Sequence, residues 1–231
     1  MRCAARHLVT APEPVGTGPE IDPTERARHW DRLWAAKNPT EVSWFQPRFE
    51  TSLRLIREAG LPPAARILDV GGGASTLVDS LLDLAFRPGV LDISARAIER
   101  IRDRLGERAD VVEWFVGDVT SFVSPHTWDL WHDRAVLHFL IEEPERVAYR
   151  SALLQSLADE GYAVISTFGP EGPTRCSGLP VRRYSARDLA DFLAPELELE
   201  VSAVEDHVTP SGKVQQFIAC RLRRGQSHPT A

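Results

Sequence analysis

The sequence predicts an α/β fold in which a mostly parallel β-sheet is covered by helices on both faces. The first observation is that strand-like apolar runs and amphipathic helical patterns largely alternate between residues 65 and 168, and such alternation is typical of parallel sheets with crossover helices. The second is that two strand-like runs, ELELEVSAV and KVQQFIACRLR, follow each other near the end through the turn sequence TPSG. Successive strands joined by a turn pair antiparallel, so we expect an antiparallel strand at the C-terminal end of the sheet.

Two helices are predicted ahead of the sheet. The first runs from Pro23 to Asn38 and carries Trp30 and Trp34 on one side at helical spacing. The second spans about Phe49 to Ala59 and ends at Gly60. Two prolines come shortly after this glycine, at positions 62 and 63. We expect this helical segment to precede the sheet-forming region.

The elements of the sheet region carry recognisable end signals. Ser94 is a suitable N-cap and Gly106 a suitable stop for one helix, and Ser185 with Asp188 has the pattern of a capping box for a late short helix. The segment GPEGPTRCSGLPVRR before that helix is predicted to be a loop. In chain order, the predicted strands lie in ARILDV, GVLDIS, VVEWFVGD, WDLWHDR and GYAVISTF, and the helices in STLVDSLLDLAF, SARAIERIRDRLG and EPERVAYRSALLQSLAD.

The domain organisation follows from these elements. We predict flexible tails at residues 1–22 and 224–231 and a single domain at 23–223. Within the domain, residues 23–60 are expected to form an N-terminal helical lid and residues 64–223 the sheet-containing core. No internal repeat interrupts this arrangement.

Composition limits the classes of partner and compartment. The 231 residues are 43% hydrophobic and carry a net charge of −6 from 27 basic and 33 acidic side chains, which argues against nucleic acid or an anionic membrane as the main partner. The cysteines Cys3, Cys176 and Cys220 form no CxxC pair, and their odd number fits a reducing compartment better than a disulfide framework. The first 20 residues contain no apolar core typical of a signal peptide. We therefore predict a cytoplasmic protein, monomeric or homodimeric.

The stretch ILDVGGGAST places three glycines, Gly71 to Gly73, directly after a predicted strand. In an open α/β sheet the first strand-to-helix turn lies at the centre of the ligand site, and glycines there let a cofactor approach the backbone. A dinucleotide site requires a third glycine or alanine where this chain has Thr76, so the pattern disfavours a nicotinamide cofactor. The alternative is a tight turn that serves helix packing alone.

Three acidic residues at successive strand ends then complete a family pattern. Asp69 in ILDVGGGAS, Asp92 in GVLDIS and Asp118 in WFVGDV resemble the motifs of class I S-adenosylmethionine-dependent methyltransferases. The resemblance implies a Rossmann-like seven-stranded sheet, S-adenosyl-L-methionine as cofactor and S-adenosyl-L-homocysteine as product. It also implies that Asp118 and the following amide hold the adenine, which favours the methyltransferase. An acid at the position of Asp92 binds the ribose in both cofactor classes and does not separate them. The implied cofactor-binding residues are Asp69, Gly71, Gly73, Asp92, Ile93, Asp118, Val119, His132, Trp34 and Trp44.

Each acid also has a structural interpretation. Asp69 can cap its own turn, Asp92 can precede the helix capped by Ser94, and Asp118 can be a solvated loop acid. The coincidence of all three at successive strand ends favours the cofactor site.

The fourth strand and its continuation, WDLWHDRAVLHFL, supply the candidate catalytic residues His132 and Asp133. Asp133 is placed to orient an acceptor, and His132 to line the cofactor. The alternative is that His132 and His138 are packing histidines and that Asp133 caps the next helix. No metal site is expected, because these histidines lack an i, i+4 relation and no cysteine is near them in sequence.

Aromatic and basic residues define the expected acceptor side. Trp34 and Trp44 are the preferred lid residues, since aromatic faces can shelter a sulfonium through cation–π attraction; Trp30 is equally well explained as packing a helix on the sheet. Phe45 belongs to the same group. Three arginines of the predicted loop are candidates for recognising an anionic acceptor, or alternatively are solvent-facing charges: Arg175, Arg182 and Arg183.

The lead-in HWDRLWAAKNPTEVSWFQP resembles two methyltransferase groups, the thiopurine methyltransferase-like enzymes and the lysine methyltransferases of elongation factor or citrate synthase. The chain has HDRAVLHF where the lysine enzymes carry their signature, and it lacks an NPPY-type tetrapeptide. We therefore expect methyl transfer to a heteroatom (S, N, O or Se) of a small molecule. A protein lysine methyltransferase is the alternative, and an NAD(P)-dependent oxidoreductase or a non-catalytic cofactor-binding module are alternatives of other classes.

Overall fold

The computed structural model describes residues 23–225. Predictions for residues 1–22, including Cys3, and for residues 226–231 lie outside the described part. The described chain begins with helix α1 (Pro23–Ala36), a short 3-10 helix (Pro39–Glu41) and helix α2 (Glu50–Arg57). Both α-helices agree with the predicted positions to within two residues at each end.

The sheet region contains nine strands and four further α-helices within the described residues. The two strands beyond the predicted seven form a small hairpin, β6 and β7, inside the segment expected to be a loop. In chain order the elements are β1 (Arg66–Val70), α3 (Leu77–Asp83), β2 (Arg87–Asp92), α4 (Ala95–Leu105), β3 (Glu113–Val116), β4 (Trp128–Arg134), α5 (Glu143–Ser156), β5 (Leu157–Phe168), β6 (Arg175–Cys176), β7 (Leu179–Pro180), α6 (Ala186–Leu193), β8 (Leu197–Val208) and β9 (Val214–Arg224).

Seven strands form one sheet in the order β3-β2-β1-β4-β5-β9-β8. The pairs among β1 to β5 are parallel, whereas β9 is antiparallel to both β5 and β8. This arrangement confirms the predicted mostly parallel, seven-stranded sheet with an antiparallel C-terminal strand. From β1 the chain adds strands first on one side of the sheet and then, from β4, on the other. The turns after β1 and β4 therefore flank the crevice in which ligands of open α/β sheets bind.

The predicted helix ends were confirmed where capping residues marked them. The Ser94 side chain accepts a hydrogen bond from the Ala97 amide at 3.2 Å, and Ser185 and Asp188 form the expected capping box. The helix before β5 is shorter than expected. It ends at Ser156 because Leu157 already has extended backbone angles and pairs with Trp128 in the sheet.

The core lies on both faces of the sheet. On one face, Trp131 packs with Tyr149 of α5 and Leu189 of α6; on the other, Leu130 packs with Leu53 of α2. The side chains of adjacent β4 residues are thus buried on opposite faces of the sheet, as strand geometry requires. Among residues 23–225 there is no helix of the length and apolar character needed to cross a membrane.

Candidate active site

A pocket opens at the carboxyl ends of β1, β2 and β4, beneath the segment that contains α1 and the chain between α1 and α2. Its floor is formed by the glycine turn after β1 and by the ends of β2 and β4. Its roof is aromatic. The roof residues are Trp30, Trp34, Trp44, Phe45 and Phe49.

The turn after β1 contains glycines at positions where a side chain would be strained or would clash with its neighbours. Gly71 and Gly73 have positive φ angles of 64° and 54°. A Cβ atom at Gly71 would lie 2.0 Å from Cγ2 of Val136, and one at Gly73 would lie 3.1 Å from the Trp34 ring. Both the conformation and the close approach of neighbouring groups therefore require glycine at Gly71.

Asp92, at the end of β2, is tied to the glycine turn. Its carboxylate accepts hydrogen bonds from the amides of Gly73 at 2.7 Å and Ser94 at 2.8 Å. Burial raises the pKa of Asp92 to about 6, although both amides lower it. Asp92 and the following Ile93 both line the pocket at the end of β2.

Asp69 and His132 form a buried pair on the pocket floor. Nδ1 of His132 lies 2.7 Å from Oδ1 of Asp69, and Nε2 lies 2.9 Å from the Ser52 hydroxyl of α2. Both ring nitrogens of His132 are therefore occupied, one by β1 and the other by α2. Asp69 and His132 both line the pocket.

Asp118 closes the far end of the same pocket. Its Oδ1 accepts a hydrogen bond from the Thr120 amide at 2.9 Å, and its Oδ2 accepts one from Arg26 of α1 at 2.9 Å. Arg26 also pairs with Glu145 of α5. The next residue, Val119, lines the pocket as well. The carboxylate is thus fixed by the N-terminal helix rather than solvated in a loop.

The lid tryptophans meet at the pocket roof. Trp34 is 4% exposed, and its ring lies 6.1 Å from that of Trp44 in an edge-to-face arrangement. Trp30 contacts Trp44 and Phe139 in the same manner, at 5.8 and 5.1 Å. Trp30 therefore lines the pocket and also packs α1 on the residues that follow β4.

Asp133 lies on the opposite face of β4 from the pocket. Its carboxylate accepts hydrogen bonds from the amides of Val136 and Leu137 and from the Tyr149 hydroxyl, at 2.9, 3.1 and 2.7 Å. Burial raises the pKa of Asp133 to about 6. This position disagrees with the expected role of orienting an acceptor and agrees with the alternative of a cap for the following turn. Strand geometry is the reason, because neighbours such as His132 and Asp133 point to opposite faces.

His138 is enclosed in the protein. Its ring stacks on Phe168 with centroids 4.6 Å apart, and burial lowers its pKa to about 3. These contacts agree with the packing interpretation. Within residues 23–225, no group of three His, Cys, Asp or Glu side chains is arranged to hold a metal ion.

The three loop arginines do not line the pocket. Arg175 donates to the Gly178 carbonyl and Arg183 to the Pro170 carbonyl, while Arg182 lies over the Tyr184 ring. Cys176, from the β6–β7 hairpin, does line the pocket and is buried.

Arg134 is a pocket residue that the sequence reasoning did not identify. Its side chain is 4% exposed, and its guanidinium stacks on Phe217 at 4.3 Å and donates to the Trp44 carbonyl at 3.2 Å. Glu205 of β8 lies 3.4 Å from it. The available signal was the spacing of two from His132, which places Arg134 on the same face of β4.

A family model described as a methyltransferase domain matches residues 68–163, from β1 into β5. Nodulation protein S of Sinorhizobium fredii is 31% identical over 142 residues, which are 59% of this chain and 63% of that protein. The match thus spans less than two thirds of the relative's own length.

Solved structures share the fold over nearly the whole described chain. N-methyltransferase NodS from Bradyrhizobium japonicum, in complex with S-adenosyl-L-homocysteine, is similar with a TM-score of 0.66 and 18% identity, covering 86% of this chain and 97% of that one. A second similar structure is the 1,6-didemethyltoxoflavin-N1-methyltransferase of Burkholderia thailandensis with bound 1,6-didemethyltoxoflavin and S-adenosylhomocysteine. Its TM-score is 0.66 and its sequence identity 18%, and the match covers 91% of this chain and 94% of that one. At these identities the likeness concerns the fold, and the predicted fold class is confirmed.

Proposed function

We propose that this chain is a class I S-adenosylmethionine-dependent methyltransferase that transfers a methyl group from S-adenosylmethionine to a heteroatom of a small molecule. The observation that carries the proposal is the convergence of Gly71, Gly73, Asp92 and Asp118 on one pocket. These are the residues at which the family motifs place the cofactor. Each lies at a strand end or turn of the same sheet edge.

The residues present fit the cofactor chemically. The backbone of the turn at Gly71 to Gly73 is not covered by side chains on the pocket side, because positive φ angles and close neighbours exclude them. Asp92 offers a carboxylate that ribose hydroxyls can approach, and each of its oxygens retains a lone pair beside its amide bond. Ile93 and Val119 supply apolar walls for the adenine, next to Asp118.

The aromatic roof suits the charged end of the cofactor. Bound S-adenosylmethionine would supply a sulfonium methyl group for in-line displacement by the acceptor. Trp34 and Trp44 would shelter this positive charge by cation–π attraction, worth about 0.5–2 kcal/mol, and exclude water from it. Asp69 and His132 would fix the floor below, since their hydrogen bond joins β1 to β4.

Neither of the two candidate catalytic residues, His132 and Asp133, is placed to act as a general base in the pocket. Both ring nitrogens of His132 are occupied by Asp69 and Ser52, and Asp133 lies on the other face of the sheet. Alignment of the acceptor and exclusion of water therefore carry the reaction in this proposal. The acceptor that suits such a site presents an unprotonated lone pair at working pH.

A small-molecule acceptor is supported by the pocket and by the relatives. The aromatic roof covers the pocket from above, and the two similar structures are an N-methyltransferase and an N1-methyltransferase with bound 1,6-didemethyltoxoflavin. We therefore place nitrogen first among the heteroatoms proposed. Sulfur, oxygen and selenium stay within the same chemical class.

Isothermal titration calorimetry tests the cofactor assignment. The full chain is titrated with S-adenosylmethionine, S-adenosylhomocysteine and NADH. We expect micromolar binding of both sulfur compounds and none of NADH. The variant Asp92→Ala should bind S-adenosylhomocysteine at least about tenfold more weakly, whereas Asp103→Asn, an exposed acid on α4, should bind like the wild type. Binding of NADH alone would refute the proposal and support an oxidoreductase.

A further inference from the structure

The acceptor side of the pocket contains one charged side chain, that of Arg134. The other charged residues that line the pocket are Arg26, Asp69, Asp92 and Asp118, and all four belong to the floor or to the end where the cofactor is proposed. Around Arg134 the other pocket-lining side chains are uncharged, among them Trp44, Gln46, Phe49, Phe139 and Cys176. A buried cation thus faces an otherwise uncharged chamber.

Arg134 has donor capacity that the protein does not use. Its Nε atom is buried and has no hydrogen-bond partner, and its two terminal nitrogens make contacts of 3.2 Å to the Trp44 carbonyl and 3.4 Å to Glu205. The buried hydroxyl of Ser166, the neighbour of Arg134 in β5, also lacks a partner. Buried polar groups are usually bonded, so unpartnered donors beside a pocket indicate a missing acceptor group.

Glu205 does not fully neutralise Arg134. The Glu205 carboxylate accepts hydrogen bonds from Gln46 and Thr51 as well as from Arg134. Its contact with the guanidinium is long for a charge-assisted bond. Glu205 does not line the pocket, whereas Arg134 does. The guanidinium of Arg134 is therefore accessible from the pocket, whereas the Glu205 carboxylate is not part of the pocket wall.

We propose that Arg134 binds an oxygen anion, such as a carboxylate, of a planar aromatic methyl acceptor. The aromatic side chains of the roof would hold the planar body, and the guanidinium would fix its orientation relative to the methyl donor. This inference rests on the proposed function for the position of the donor. The recognition of the anion by Arg134 is independent of it and is testable without turnover.

The direct test compares charged and neutral probes of the same shape. Aromatic carboxylates from benzoate to 2-naphthoate, each paired with its amide, are titrated into the wild-type chain with and without S-adenosylhomocysteine. We expect at least one carboxylate to bind at least about tenfold more tightly than its amide, because only the carboxylate forms a charge-assisted bond with Arg134. Equal binding of the paired probes, or no binding of any carboxylate, would overturn the proposal.

Variants then assign the preference to one residue. Arg134→Met should abolish the difference between acid and amide, whereas Arg182→Met, an exposed loop arginine, should leave it unchanged. Glu205→Gln should tighten carboxylate binding, because it removes the anion that shares the guanidinium. Loss of the preference in Arg182→Met but not in Arg134→Met, or weaker carboxylate binding in Glu205→Gln, would contradict the assignment to Arg134.

The failure of this inference is distinguishable from failure of the proposed function. If Arg134→Met binds S-adenosylhomocysteine like the wild type but carboxylates no better than amides, both proposals are supported. If the wild type binds carboxylates but not S-adenosylhomocysteine, the methyltransferase proposal fails and the anion site stands. Binding of S-adenosylhomocysteine without any carboxylate preference leaves the methyltransferase proposal in place and refutes the anion site.

Discussion

His132 and Asp69 are joined by a hydrogen bond of 2.7 Å between Nδ1 and Oδ1 on the floor of the pocket. The pair links the middle strands β1 and β4 at the point where the sheet changes strand order. Through its second nitrogen, His132 also holds Ser52 of α2 at 2.9 Å. One imidazole thus connects the sheet to the N-terminal helical segment.

We expect His132→Phe to lower the free energy of unfolding by about 3 kcal/mol. The substitution keeps a planar ring but leaves the buried Asp69 carboxylate and Ser52 hydroxyl without this partner, and each such loss costs about 1–3 kcal/mol. Urea denaturation followed by circular dichroism measures the change. Ser52→Ala removes only the second bond and should cost about 1 kcal/mol.

The matched control for His132 is a partly exposed histidine, His126. His126 lies 2.8 Å from Glu113, and both side chains are partly exposed. Water can replace a hydrogen bond between partly exposed groups, so His126→Phe should cost less than His132→Phe, about 1 kcal/mol or less. Equal losses for His126→Phe and His132→Phe would show that the buried pair has no special structural role.

Cofactor affinity should depend on pH through Asp92. Burial raises the pKa of this carboxyl to about 6 in the free protein. Ribose hydroxyls donate hydrogen bonds to the ionised form, so a protonated Asp92 must lose its proton when the cofactor binds. Below pH 6 we therefore expect the affinity for S-adenosylhomocysteine to fall by up to about tenfold per pH unit.

The measurement is calorimetry between pH 5 and 8 in buffers of different ionisation enthalpy, which also counts the released protons. In Asp92→Asn the affinity should be weaker at pH 8 and nearly independent of pH, because the titrating group is absent. Proton release in the variant equal to that in the wild type would assign the dependence to another group.

Gly71→Ala should destabilise the fold by about 2 kcal/mol or more. Gly71 has a φ of 64°, and an added Cβ would lie 2.0 Å from Cγ2 of Val136. Strained backbone conformations cost about 1–3 kcal/mol before the clash is counted. Thermal unfolding monitors the effect. Gly117→Ala is the control, since nothing lies within 4 Å of its Cβ position. A melting temperature of Gly71→Ala equal to that of Gly117→Ala would contradict the tight turn.

Much of the fold and the positions of several candidate cofactor-binding residues were predictable because their signals are local. Gly71, Asp92 and Asp118 occupy strand ends that the apolar runs define, and parallel strands bring those ends to one edge. Helix ends at Ser94 and Ser185 were likewise marked by capping residues a few positions away. Sequence patterns of this kind need no knowledge of distant contacts.

The proposed acceptor side was less predictable because its contacts are long-range. Arg134 is buried by Trp44, Glu205 and Phe217, which lie far from it in sequence. The only local signal for Arg134 is its spacing of two from His132, which places both side chains on the same face of β4. The placement of Asp133 was predictable in principle, because period-two alternation separates its side chain from that of His132.

Asp133→Asn should destabilise the protein by about 1–3 kcal/mol at neutral pH. The carboxylate accepts from two amides and the Tyr149 hydroxyl. The single oxygen of asparagine cannot replace both carboxylate oxygens, and its amide group would face a donor, which leaves a buried donor unpartnered. Tyr149→Phe removes one donor to Asp133 and also the hydroxyl that accepts a hydrogen bond from Nε1 of Trp131 at 3.1 Å, so it too should cost about 1–3 kcal/mol.

The same variant should reveal the raised pKa of Asp133. An acid whose folded-state pKa is about 6 stabilises the fold fully below the unfolded value of about 3.8, and this contribution is lost as the pH rises through 6. The wild-type advantage over Asp133→Asn should therefore shrink between pH 4 and pH 6, since the other titrating groups are common to both proteins. Urea denaturation at several pH values measures the difference. An advantage that grows with pH over this window would mean that the three donors outweigh burial and hold the pKa below its ordinary value.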